Sequence, residues 1–291
     1  MILASVSDGS LIDWLRTITP LGVKDYYWAA VGLYREPWLW LSVLLILVLE
    51  RVVPVIRQQK VFSKAFFEDF VWFNLVALLT VAAFPAFVSL LQGLYATITG
   101  GHGVTPVLST LPLWLKVVVS LVIVDLLTWV HHWVRHQGVL WRFHLIHHSQ
   151  RELNQFTDFR VHAVDLLVVY GILAIPTAAL HLAPGAIMSV ALARAAHARF
   201  IHANIRTNLG PLRHILVTPQ YHRIHHSIEP RHQDKNFGGL LTVWDRIFGT
   251  LWTKYDEYPA TGVADVEFEP RLIPGGWLGA VGRELVYPFR R

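Results

Sequence analysis

The sequence predicts an all-α fold: an integral membrane bundle of about four to five transmembrane helices carrying a cytosolic helical cap. Three observations lead there. The chain is 54% hydrophobic and only 15% charged, with a mean hydropathy of +0.42, too apolar for an ordinary soluble domain of 291 residues. Long apolar runs alternate with basic segments. The basic residues also fall to one side: segments 51–64, 131–162 and 203–291 carry 4, 4 and 11 Lys/Arg, whereas the opposing segments 1–36 and 92–112 carry 3 and none.

Residues 1–36 mix charge with aromatics (Trp14, Tyr26, Tyr27, Trp28) and read as an interfacial segment. Asp8, Asp13 and the lack of a basic start argue against a cleavable signal peptide. Residues 37–130 hold three transmembrane helices: Pro37–Val53, Phe70–Leu91, and Leu113 to about Val130. Residues 131–252 form the histidine-bearing domain. Within it Ala163–Leu182 is a fourth span with a kink expected at Pro176, and Ala186–Ile201 is a fifth pass after a turn at Ala183-Pro184-Gly185. From Ala203 on, the chain is polar enough to lie in water. Residues 253–291, with Pro259, Pro270, Pro274, Gly275 and Gly276, read as an irregular cytosolic extension wrapped against the cap. An odd number of crossings puts the carboxyl terminus and every histidine group on the cytosolic face.

The chain has no Cys, which excludes disulfides, thiolate zinc sites and Cys-ligated iron–sulfur clusters. The net charge of +5 is scattered, so membrane topology explains it and nucleic acid is not an expected partner.

The chemistry concentrates between Asp125 and Ser149 and again near residue 222. His132 and His136 are spaced i, i+4; His144, His147 and His148, like His222, His225 and His226, are spaced i, i+3, i+4. On helices each group projects its imidazoles from one face. About 0.05 H-x-x-H-H matches are expected by chance at this histidine frequency, and two occur. Imidazole is a neutral ligand for iron, zinc, copper or nickel, and eight histidines exceed the needs of one ion. A two-metal centre is the natural reading.

These residues carry a family resemblance. Asp125-x6-His132-x3-His136, Trp141-x2-His144-x2-His147-His148-Ser149 and His222-x2-His225-His226-Ser227 resemble the motifs of the fatty acid hydroxylase / sterol desaturase superfamily of membrane non-haem di-iron oxygenases. Phe159-Arg160-Val161-His162, His202-Ala203-Asn204, Thr218-Pro219, Asn236-Phe237-Gly238-Gly239 and the run Trp244 to Thr250 extend the likeness, which covers roughly Glu50 to Trp252. It implies that His202 joins His132, His136, His144, His147, His148, His222, His225 and His226 as a metal ligand. It places His162 near the metals, as ligand or outer partner. His197 lies five residues before His202, ~140° around a helix, and is a possible ligand or outer partner that shares its face only through a π-bulge. Asn236 or Asp245 is expected to accept a hydrogen bond from the second nitrogen of a ligating imidazole. His131, His102, His181, His214 and His232 read as ordinary packed or surface residues.

The clusters themselves contain no Glu-x-x-His pair, so neutral imidazoles should dominate the ligand shell. The resemblance implies two iron ions, with zinc as a possible substitute, acting with O2 on a lipid drawn from the bilayer. No flavin or NAD fingerprint is present, so electrons should come from an external reductase or small redox protein. Hydroxylation, desaturation and alkylglycerol-ether cleavage share these motifs. Two rivals stand beside them: a zinc-dependent membrane hydrolase or isomerase on the same histidines, which the lack of H-E-x-x-H disfavours, and a non-catalytic metal-binding membrane scaffold.

Overall fold

The structure, a computed structural model, describes residues 37–99, 111–180, 184–264 and 276–290. The expected interfacial segment 1–36, the turn residues 181–183, and His102 and His181 lie outside the described residues. What is described is helical, with isolated β-bridges and no named strand.

The chain runs through α1 (Pro37–Val52), α2 (Lys64–Thr99), α3 (Leu113–Arg135), α4 (Trp141–His148), α5 (Ala163–Leu180), α6 (Pro184–His202), α7 (Pro219–His225), α8 (Val243–Ile247) and α9 (Gly276–Val286). Helix α3 packs against α5 and α6, α2 against α5, α9 against α2, and α7 against the end of α6. Among the described residues one helix, Trp114–Arg135, is long and apolar enough to cross a membrane; its mean hydropathy is 1.8. Helix α1 turns Trp40, Leu41, Leu44 and Leu45 outward while burying Ile46 and Glu50. Glu50 of α1 faces the protein while much of the helix's apolar side faces out, the reverse of a helix designed for water.

The helices differ from the sequence reading in three places. Helix α2 spans 36 residues, about 54 Å at 1.5 Å per residue, and continues through Pro85 past the expected end at Leu91. Helix α3 carries on from Val130 to Arg135, so His131 and His132 sit on the helix itself. Within the extension read as irregular, α9 forms and packs on α2: Val281 joins Trp72 and Ile146 in one buried cluster.

A buried polar hub sits beneath that cluster. Asp69 accepts hydrogen bonds from Gln150 Nε2 (2.8 Å), Asn154 Nδ2 (2.8 Å), Thr157 Oγ1 (2.7 Å) and Arg160 Nη1 (2.9 Å). Arg160 also pairs with Glu284 of α9, which Trp72 Nε1 holds at 2.8 Å. Burial raises the Glu284 carboxyl to about 7, against the opposing pull of Arg160. Arg160 Nε donates to Ile146 O (3.0 Å) and Ser149 Oγ (3.2 Å). The motif arginine thus clamps the last turn of α4, the turn that carries His147 and His148.

Candidate metal centre

Four elements deliver imidazoles to one place. His132 lies in the last turn of α3 and His136 is its C-cap. Helix α4 buries His144, His147 and His148, and His202 ends α6. Helix α7 starts where the sequence marks a start: the Thr218 side chain accepts a hydrogen bond from Tyr221 N, and Pro219 takes the first turn. It then presents His222 and His225, with His226 as its C-cap.

The nine histidines sort into two sets. His132, His136, His144, His148 and His225 form one; His147, His202, His222 and His226 form the other. Within each set the donor atoms lie within 4.8 Å of one another, close enough to hold a metal ion. Each H-x-x-H-H triplet divides between them. His144 and His148 go to the first set and His147 to the second, whereas His222 and His226 go to the second and His225 to the first. One turn of helix separates i from i+4, and i+3 points to the neighbouring side, so two triplets facing each other build two adjacent sites.

Nitrogen spacing fits metal coordination. His136 Nε2 to His148 Nε2 is 3.2 Å; in the second set His147–His202, His202–His222 and His222–His226 Nε2 pairs are 3.3, 2.8 and 3.1 Å. Nitrogens ~2.1 Å from a common ion lie ~3.0 Å apart at right angles and ~3.4 Å apart at tetrahedral angles. The Nε2 atoms of His132, His144 and His225 are buried without a hydrogen-bond partner, each aimed where a first-set ion would sit. Orphaned buried nitrogens are costly unless something binds them, so the donor set fits a metal pair.

The opposite edges of five of these rings are anchored, whereas Nδ1 of His147, His222 and His226 is buried with no hydrogen-bond partner. His132 Nδ1 meets Phe237 O at 2.9 Å, His225 Nδ1 meets Lys235 O at 2.8 Å, and His202 Nδ1 meets Ala198 O at 2.7 Å. His144 Nδ1 is 3.0 Å from Asp165 Oδ2, which Arg135 Nη1 also reaches at 2.9 Å, and His136 Nδ1 is 3.3 Å from Asp234 Oδ1. An Nδ1–H donated outward leaves Nε2 free as the inward donor atom. The expectation for Asn236 and Asp245 is corrected here: neither accepts from an imidazole. Asn236 sits in the left-handed region (φ 62°), turning the chain so that the carbonyls on either side of it meet different histidines, while its side chain bonds Tyr221 O and Trp252 N. Asp245 is fully buried and accepts from Trp129 Nε1 (3.0 Å), Phe237 N (2.8 Å), Gly238 N (2.6 Å) and the hydroxyls of Tyr221 and Thr250. Asp125 pins the same segment to α3 through Leu240 N (2.9 Å), Leu241 N (3.1 Å) and Trp244 Nε1 (2.9 Å). Backbone carbonyls hold His132, His202 and His225, carboxylates hold His136 and His144, and Asp125 and Asp245 hold the backbone that carries the Phe237 carbonyl.

Burial first, and neighbouring positive or imidazole groups second, push His144, His147, His148, His222, His225 and His226 well below the usual histidine range. That direction favours the neutral ring, the form in which imidazole binds metal.

The remaining histidines stand apart from both sets. His162 packs between Phe143 and Phe289, with Nε2 3.2 Å from Leu285 O and Nδ1 accepting from Val164 N. His197 keeps a buried, unpartnered Nε2, and His131 a buried, unpartnered Nδ1. His214 packs on Tyr255. A Glu-x-x-His spacing does occur just after the second triplet, Glu229 to His232. It builds no site: His232 bonds Ser227 Oγ (2.8 Å) and Glu257 Oε2 (3.0 Å), and Glu229 pairs with Arg231. Asp165, Asp234 and the Lys235 and Phe237 carbonyls are partners that spacing does not reveal.

A helical protein with two adjacent sets of buried imidazoles, each able to hold an ion, defines the class. Residues 117–250 match the family model described as Fatty acid hydroxylase. It is 34% identical over 130 residues to alkylglycerol monooxygenase of Homo sapiens, covering 42% of this chain and 27% of that protein. It is 35% identical over 145 residues to ornithine lipid hydroxylase OlsE of Rhizobium tropici (48% of this chain, 43% of that protein). Very-long-chain aldehyde decarbonylase GL1-1 of Oryza sativa is 29% identical over 204 residues (63% of this chain, 32% of that protein). The matched region therefore spans less than half of each of these relatives' length. No solved structure matches the chain.

Proposed function

We propose that the protein is a membrane-embedded lipid monooxygenase that holds two iron ions in its histidine sets. It would consume O2, two electrons and two protons to convert a lipid C–H to C–OH with release of water. The observation that carries the reading is the division of both histidine triplets between two sets, which makes a pair of ions rather than one the natural occupant. An iron pair would supply the capacity to bind and reduce O2, which no side chain has. The chain's own part is position and exclusion. His132, His136, His144, His148 and His225 would hold one ion, His147, His202, His222 and His226 the other. Asp165 and the Lys235 and Phe237 carbonyls would fix the rings, and burial keeps bulk water out.

The relatives' names favour hydroxylation over desaturation, since a monooxygenase and a lipid hydroxylase both insert oxygen. Ether cleavage is the second reading, favoured by the alkylglycerol monooxygenases. Hydroxylation of the carbon beside an ether oxygen leaves a product that falls apart into an aldehyde and an alcohol. The bundle of four to five spans, the cytosolic position of the centre and delivery of electrons by an external reductase or small redox protein belong to the same proposal. They are supported by the charge asymmetry and by the outward apolar faces of α1 and α3.

Anaerobically purified protein should contain iron, and lipids of a host expressing it should include species one oxygen atom heavier than a parent. His147→Ala or His225→Ala should abolish bound iron in its set and all turnover. Zinc with hydrolytic products would favour the hydrolase, and metal without any lipid product the scaffold.

A further inference from the structure

Polarity places everything beyond Ala203 in water, yet one face of that region is apolar and open. Leu212 (51% exposed), Ile215 (60%), Val243 (36%), Ile247 (63%) and Phe248 (49%) are exposed although they come from two distant segments. The two segments are joined side by side. Thr242 N donates to Ile215 O at 2.9 Å, Arg246 Nη2 donates to His214 O at 3.2 Å, and Leu216 bridges Leu241.

This face lies at a definite height along α3. Phe248 stacks on Trp129 with centroids 4.2 Å apart, and Trp129 stacks in turn on the half-exposed Trp133. Trp129 is six residues short of the end of α3 at Arg135, ~9 Å along the axis. Asp125, which holds Leu240, Leu241 and Trp244, is ~15 Å from that end. A segment docked on the last half of the helix that is long and apolar enough to cross a membrane cannot stand clear of a bilayer that the helix crosses. The charge on the face is one-signed as well. Segments 210–217 and 240–248 hold Arg213, Arg246 and Asp245, and Asp245 is fully buried.

We propose that the face made by Leu212, Ile215, Val243, Ile247 and Phe248 lies in the headgroup layer of the bilayer, with Arg213 and Arg246 against anionic lipid. It rests on the reading of α3 as a membrane span. Apolar side chains at the acyl boundary with arginines reaching headgroups form the arrangement of an interfacial element. The consequence is functional. The same segment carries the Lys235 and Phe237 carbonyls that hold His225 and His132, so its contact with lipid sets the depth at which the metal centre meets a lipid chain.

The absence of Cys permits a clean test. Single variants Ile215→Cys, Ile247→Cys, Leu44→Cys and Lys254→Cys, each carrying an environment-sensitive fluorophore, are reconstituted into vesicles of phosphatidylcholine with phosphatidylglycerol. Quenching is read with nitroxides placed shallow or deep on the lipid, and with a water-soluble quencher. The proposal expects several-fold stronger quenching by shallow nitroxide at positions 215 and 247 than at 254, and protection from the aqueous quencher. If label 44 is quenched by lipid while 215 and 247 are open to water, this proposal fails and the membrane reading stands. If label 44 is also open to water, the membrane reading itself fails. If 215 and 247 are shielded from both quenchers and labels on separate copies transfer energy, a second copy covers the face and the proposal is overturned.

Discussion

His148 and His226 stack on each other, ring centroids 4.5 Å apart and planes 22° from parallel, yet they belong to different sets. The pair is a shared wall. His148 comes from the fourth helix and His226 from the cap of the seventh, so the wall exists only when those elements are docked.

Removing either half of the wall should therefore be selective. His148→Ala should empty the first set and retain metal in the second, and His226→Ala the reverse. Metal content and the spectrum of each variant check this. Loss of all metal in both, with the fold intact, would mean that the sets are one indivisible site.

Asp165 takes hydrogen bonds from both His144 and Arg135 in a buried position. Asp165→Ala leaves a buried guanidinium without its carboxylate and a ring without an anchor. Metal affinity should fall by roughly 10–100-fold, as for other partners that orient a ligating histidine. Asp165→Asn keeps one acceptor and should lose less. A metal titration that ranks them the other way would contradict the anchoring role.

Gly239 has no room for a side chain: a Cβ there would sit 2.6 Å from Thr128 Cγ2 and 3.3 Å from Arg194 Nη2. Gly239→Ala should destabilise the protein by about 1–3 kcal/mol through overpacking. Thr128→Ser removes the clashing methyl and should recover part of the loss. Thermal unfolding of the single and double variants measures it, and strict additivity would show that the clash is not the cause.

The buried imidazoles also fix a pH dependence for metal-stripped protein. Their folded-state values lie well below the ordinary 6.5, so the unfolded chain binds protons that the folded chain refuses. Stability is then fully present above 6.5 and falls as the pH drops below it. A melting temperature that holds steady or rises on acidification through that window would contradict the burial of the neutral rings.

Much of this was legible in the sequence because helical periodicity is local. The ends of the fifth and sixth helices fall within two residues of where the apolar runs end, and the eight histidines named from their spacing meet in the two sets with His202, which the resemblance adds. What was not legible depends on contacts far apart in the chain. The Asp69–Arg160–Glu284 hub joins residues up to 215 positions apart (284 − 69), and no local pattern links them. Helix α9 was missed because Pro274, Gly275 and Gly276 read as loop and because its buried Glu284 looks like a surface residue until Arg160 is placed beside it. Asn236 and Asp245 were assigned to the imidazoles from their residue types. Their backbone geometry instead gives that role to the carbonyls beside Asn236.

The most direct measurement of the central claim follows oxygen. Iron-loaded protein in lipid vesicles, given an electron donor and isotopically heavy O2, should yield a lipid product carrying one heavy oxygen atom, with O2 consumed in step. Product bearing oxygen only from water, or O2 uptake unchanged when His147 or His225 is replaced by Ala, would contradict the account.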